Sequence, residues 1–112
     1  MIPSDKRKLQ PDRRRYPRFN VKLPVEFTVL PGQRRCRATI DNISLTGVLL
    51  LTDEPLENGT RVLMHIPQRS AAVLTISAQI VRASVVGEFG VAFVSMSEDE
   101  IEQLTSFVER LS

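Results

Sequence analysis

The stretch Val21-Lys22-Leu23-Pro24-Val25-Glu26-Phe27-Thr28-Val29-Leu30 alternates side chains in steps of two: Val21, Leu23, Val25, Phe27 and Val29 against Lys22, Pro24, Glu26, Thr28 and Leu30. Successive side chains of a β-strand point to opposite faces, so this period predicts a strand with one face in a core. Pro24 carries no N–H to give to a ladder, and its place in the run predicts an edge or a bulge there.

Downstream of it the same logic repeats. Pro31-Gly32-Gln33 reads as a turn. A second strand is expected over 35–40, with Cys36, Ala38 and Ile40 on one face, and a third over 47–51 after the connector Asp41-Asn42-Ile43-Ser44-Leu45-Thr46. The Pro55 and Asn58-Gly59 signals predict a longer loop before a fourth strand at 61–66, where Val62, Met64 and Ile66 share a face. Residues 73–86 are too long for one alternation. Leu74, Ile76, Ala78 and Ile80 hold one phase and Val81, Ala83 and Val85 the other, which predicts a β-bulge near Ile80-Val81. Gly87-Glu88 then turns the chain into a sixth strand at 89–94. Six short antiparallel strands are expected to close into a small barrel, because closure removes the unpaired edges of an open sheet.

The period changes once more at the carboxyl end. Ser97-Glu98-Asp99-Glu100 fits a capping box, in which serine and glutamate each satisfy a free N–H of the other's backbone. Ile101, Leu104, Phe107, Val108 and Leu111 follow at helical spacing, and Arg110 suits the negative end of the helix dipole. A helix over 97–111 is expected to close one end of the barrel or dock on its flank.

Upstream, residues 1–12 contain Pro3 and Pro11 and show no hydrophobic period, which predicts a flexible lead-in. Residues 1–20 hold seven basic groups against Asp5 and Asp12, a net +5; since the whole chain carries +2, the rest carries −3. A basic arm on a slightly acidic body points to an anionic ligand met by the arm. With 112 residues, 42% of them hydrophobic, one compact domain is expected over 13–112. No run approaches the roughly 18 apolar residues of a membrane span and MIPSDKRKLQPDRRR lacks a signal-like apolar block, so a cytoplasmic location is expected.

Several chemistries are disfavoured by residue supply. Cys36 is the only cysteine and His65 the only histidine, which leaves no thiolate metal site and no cofactor motif. No nucleophile elbow or acid–base constellation is visible, so no catalysis is expected. Cys36 reads as a small core residue and His65 as a surface or rim residue.

Two polar clusters remain. The first, Arg13-Arg14-Arg15-Tyr16-Pro17-Arg18, directly precedes the first strand. Guanidinium is permanently charged, pairs with two phosphate oxygens at once and stacks on a base, although a solvated charge run has the same composition. The second, Asn42-Ile43-Ser44-Leu45-Thr46-Gly47, offers short side chains that satisfy a turn, and a glycine able to take a positive φ or admit a close ligand; a capped turn explains it equally well. If the first and second strands are neighbours, both clusters lie at one rim.

Taken together the clusters resemble the PilZ family. Its signature is Arg-x-x-x-Arg before the first barrel strand, then Asp/Asn-x-Ser-x-x-Gly some two dozen residues on; the chain has Arg14-Arg15-Tyr16-Pro17-Arg18 and Asn42-Ile43-Ser44-Leu45-Thr46-Gly47. The resemblance covers about residue 12 to the carboxyl terminus. It implies an all-β-dominated fold, a six-stranded antiparallel barrel with a C-terminal helix. It implies as ligand the second messenger cyclic di-GMP, gripped by Arg14 and Arg18 with Asn42, Ser44 and Gly47 shaping the pocket for a guanine. It places Arg13 where this family influences whether one ligand or a stacked pair binds. Signalling would then run through an unidentified downstream protein, the receptor being a monomer or weak homodimer.

Ordering a flexible arm costs about 1–2 kcal/mol per residue, so an arm over 13–20 that wraps the ligand needs packing from Tyr16, Pro17 or Phe19. Two other readings compete: a PilZ-like adaptor that makes only protein contacts, and a basic-arm barrel that binds nucleic acid. The second is disfavoured because the predicted strands carry few aromatics on which bases could stack.

Overall fold

The computed structural model describes residues 17–69, 72–84 and 86–111. Six strands form a closed antiparallel barrel in the order β1-β2-β3-β6-β5-β4. They are β1 (Phe19–Val29), β2 (Arg34–Ile43), β3 (Gly47–Leu51), β4 (Arg61–Pro67), β5 (Val73–Ala83) and β6 (Glu88–Phe93), followed by the helix α1 (Glu98–Leu111). The barrel and terminal helix agree with the expected architecture. Strand bounds differ most at β2, which continues through Asp41, Asn42 and Ile43, so that only Ser44, Leu45 and Thr46 remain of the expected connector.

The alternation of β1 holds from Phe19 to Phe27, whereas Thr28, on the polar phase, is buried. Val25 and Phe27 are buried, and Phe19, Val21, Leu23 and Val29 pack against the core from partly covered positions. Phe19 pairs with Ile43 and Asn20 with Asn42, so the expected arm of 13–20 ends two residues early, in strand. Pro24 pairs with Thr39 on the β2 side, whereas β1 meets β4 only from Glu26 to Val29. The missing N–H of Pro24 thus lies where β1 has parted from β4, at an edge as the sequence suggested.

The register shifts at three places around the barrel, the first of them between β1 and β2 from Asn20 to Leu23. On β5 the register shifts between Ile80 and Arg82, which is the bulge read from the sequence. The apolar set that follows the bulge does not enter the core at its first two positions. Val81 is 55% exposed and Ala83 is also exposed, while Val85 lies outside the described residues. On β2 the register against β3 shifts between Ile40 and Asn42, leaving Asp41 as the extra residue. A one-residue slip turns every later side chain to the opposite face. Ile43 is thereby turned into the core and Asn42 away from it.

The capping box forms as its sequence predicts. The Ser97 N–H donates to Glu100 Oε1 at 2.9 Å and the Glu100 N–H to Ser97 Oγ at 3.1 Å. Leu104, Phe107 and Val108 join the core, each burial contributing about 1.5–3 kcal/mol. The apolar stripe is narrower than its spacing suggested: Ile101 and Leu111 are 44% and 37% exposed, and the main strand that α1 meets is β5. Cys36 is buried, and burial pushes its thiol pKa up, as suits a core residue. None of the described helices is long and apolar enough to cross a membrane.

Candidate functional site

Because β1 and β2 are antiparallel neighbours, the beginning of β1 meets the end of β2. That topology brings the two clusters together. The Arg18 guanidinium donates to Asn42 Oδ1 at 2.7 Å across 24 residues of sequence. Both side chains stand on the outside of the barrel, Asn42 because the Asp41 bulge has turned it there. Arginine has five N–H donors, so the bond to Asn42 fixes the direction of the guanidinium and leaves donors for an anion.

Around this pair the surface is polar and open. Asn20, directly opposite Asn42, lines with Val21, Lys22 and Asp41 a hollow of about 400 Å³. Lys22 and Asp41 form an ion pair at its wall. Asn20 was not among the sequence candidates, although the alternation of β1 sets it on the same outer face as Lys22.

Ser44 and Gly47 occupy the turn that follows. The Ser44 side chain is 1% exposed. Its Oγ accepts from the Thr46 N–H at 3.1 Å and lies 3.0 Å from Thr46 Oγ1, while the Ser44 N–H donates to the Gly47 carbonyl at 2.9 Å. Thr46 is in turn tied to β6 by the Phe93 N–H, 2.9 Å from its carbonyl. The serine therefore sets the shape of the turn behind Asn42. Gly47 does not have a positive φ. It is needed for a close approach instead, and the approaching group is protein: a Cβ there would lie 2.1 Å from the Val91 carbonyl oxygen of β6. Arg13 and Arg14 lie outside the described residues.

A larger groove lies elsewhere, on the face where β1, β2 and β4 adjoin. It encloses about 670 Å³ and is lined by Glu26, Arg35, Arg37, His65 and their neighbours. Its polar groups are mostly satisfied by one another. Arg35 Nε donates to Glu26 Oε1 at 2.7 Å, and His65 bridges Thr28 (Nε2, 2.8 Å) and Thr75 (Nδ1, 3.1 Å). Burial and then the Arg35 charge hold the His65 pKa below its ordinary value, with Glu26 opposing. Volume alone would choose this groove; the juxtaposition of a cation and an amide from distant segments favours the Arg18–Asn42 rim. Among the described residues no cluster of histidine, cysteine and carboxylates could hold a metal ion.

Comparison with known proteins agrees with this fold. Residues 12–110 match the family model described as PilZ domain. The fold is similar to the PilZ domain of CeSA from a cellulose-synthesizing bacterium (TM-score 0.70, 19% identity, covering 84% of this chain and 96% of that one). It is similar also to the PilZ domain of YcgR from Escherichia coli, whose structure contains c-di-GMP (TM-score 0.71, 24% identity, 89% and 92% covered). A third similar structure is the Bacillus subtilis inhibitor of motility MotI/DgrA (TM-score 0.64, 18% identity), where 88% of this chain covers 51% of that one. No curated protein matches the sequence.

Proposed function

The chain belongs to the PilZ domain family, and on that premise we propose that it is a non-catalytic receptor for cyclic di-GMP that passes the signal to another protein. The observation that carries the reading is the 2.7 Å bond from Arg18 to Asn42, which joins the two halves of the family signature at one rim. Arg18 receives a phosphate or guanine edge, Asn42 aims it, and Ser44 and Gly47 hold the turn that supports Asn42. Arg13 and Arg14 supply the remaining positive charge, and a cation at Arg13 favours a stacked pair of ligands over one.

Affinity in the micromolar range needs about −8 kcal/mol, and charge-assisted hydrogen bonds contribute about 1.5–3 kcal/mol each. Because Phe19 and Asn20 already belong to β1, the segment that must be ordered on binding is shorter than the sequence implied, and the entropic cost falls accordingly. Closure of residues 13–18 over the ligand would create a new surface for the downstream protein. Hydrogen exchange of that segment should slow at saturating ligand; unchanged exchange would remove the ordering step from the mechanism.

Calorimetric titration with cyclic di-GMP, beside cyclic di-AMP and GMP, tests the receptor reading. Selective binding supports it, and the molar ratio separates one ligand from a stacked pair. Absence of heat at high concentration leaves the adaptor that makes only protein contacts. Strong, salt-sensitive binding to oligonucleotides without preference for the cyclic dinucleotide would favour the nucleic-acid barrel.

A further inference from the structure

The register shifts on β2 and β5 do the same thing on different strands. Each follows a fully buried isoleucine, Ile40 or Ile80, and each leaves the residue two positions on, Asn42 or Arg82, facing outward. Were Asp41 and Val81 regular strand positions and not bulged out, the period of two would carry both polar side chains into the core. The registers then connect them. Asn20 pairs with Asn42, Asn42 with Leu49, Leu49 with Gly90, and Gly90 with Arg82. One continuous row crosses five strands of the outer wall from Asn20 to Arg82, with the Arg18 guanidinium bonded to Asn42 near one end, Arg82 at the other, and the partly covered Leu49 and Gly90 between.

Gly90 lets the far end reach inward. A Cβ built at Gly90 would lie 3.5 Å from Arg82 Cβ, 3.7 Å from its Nε and 3.9 Å from its Nη2, so the Arg82 side chain lies along the glycine backbone. Arg82 is exposed and has no ion pair with an acidic side chain among the described residues. Neighbouring strands are about 4.8 Å apart, which puts about 10 Å between Asn42 and Gly90, with the floor of that interval made by Leu49. A purine base fits such an interval, its edge toward Arg18 and Asn42 and its face or far edge toward Arg82.

We propose that Arg82 is a further ligand-binding residue, whose flat guanidinium closes the side of the cyclic di-GMP site opposite Arg18 by stacking on a guanine seated over Leu49. This rests on the receptor reading above. Guanidinium stacks on an aromatic ring in a way that ammonium does not reproduce, so the side chain's shape is required as well as its charge.

The test is a cyclic di-GMP titration of the wild type, Arg82→Ala, Arg82→Lys, Arg82→Trp and Gly90→Val, with thermal unfolding of each as the fold control. Arg82→Ala should weaken binding about tenfold and Arg82→Lys nearly as much, whereas Arg82→Trp should recover most of the affinity. Gly90→Val, which fills the space where the arginine lies, should mimic Arg82→Ala. Wild-type affinity in Arg82→Ala, with the wild type binding normally, would overturn the role of Arg82 and leave the receptor reading standing. Full recovery by lysine would overturn stacking in favour of charge alone. A wild type that does not bind cyclic di-GMP would overturn the receptor reading, and this inference with it.

Discussion

Two parts of the outer wall differ in how their polar groups are satisfied. On the β1–β2–β4 face, Glu26 holds Arg35, and His65 spans Thr28 and Thr75. On the row that runs from Asn20 to Arg82, guanidinium groups face amides, a leucine and a glycine, with no carboxylate bonded to either arginine among the described residues. Charges already paired contribute little further attraction to an anion, whereas guanidinium groups held in place without a counter-charge keep their donors for one. The larger groove belongs to the first face, so the proposed site is chosen by unspent hydrogen-bond donors and not by volume.

The contrast can be broken most forcefully at Gly47, which belongs to the family signature but serves the fold. Gly47→Ala should destabilise the protein by about 3 kcal/mol, since a Cβ 2.1 Å from the Val91 oxygen forces β3 and β6 apart; thermal unfolding reads the loss. Wild-type stability in that variant would mean the β3–β6 approach is easily relaxed. Arg18→Ala comes next, with cyclic di-GMP affinity falling about tenfold to a hundredfold and melting temperature almost unchanged, because its side chain is exposed. A marked drop in melting temperature would instead assign the Arg18–Asn42 bond to stability. On the other face, Arg35→Ala should leave ligand affinity at the wild-type level and shift unfolding only slightly, as exposed ion pairs usually do. Weakened ligand binding in this variant would show that the two faces act as one.

The smallest effect is a pH dependence from His65. Its folded-state pKa is lowered, so the unfolded chain binds the proton more readily, and stability from this group is complete above the ordinary value of 6.5 and lost as pH falls through the folded value. Unfolding followed from pH 7.5 down to 5 should show this decline, and His65→Gln should flatten it. An identical slope in the variant would exclude His65 as its source.

Much of this was local and therefore legible in the sequence. The period of β1, the Ile80-Val81 bulge, and the Ser97–Glu100 box each depend on residues within a few positions of one another, and each is present in the structure. The burial of Cys36 follows from its phase with Ile40 for the same reason. The arginine and Asn-x-Ser-x-x-Gly clusters could likewise be picked out as residue types suited to an anionic purine ligand.

What the chain could not declare locally depends on which strand lies beside which. The Asp41 bulge left only one trace in β2, the phase change from Ile40 to Ile43, which a connector explains as well until β3 is paired with it. The reach of Ile101 and Leu111 past the core reflects the area that the barrel offers α1, not the helix's own spacing. Gly47 looked like a backbone hinge or an opening for ligand until β6 was seen to pass within a side chain's radius of it. Periodicity and capping chemistry thus determined the strands, the helix and the candidate side chains, since those are set by near neighbours. Barrel closure decided their register, and with it which polar groups face outward together, since that is set by pairings between residues dozens of positions apart.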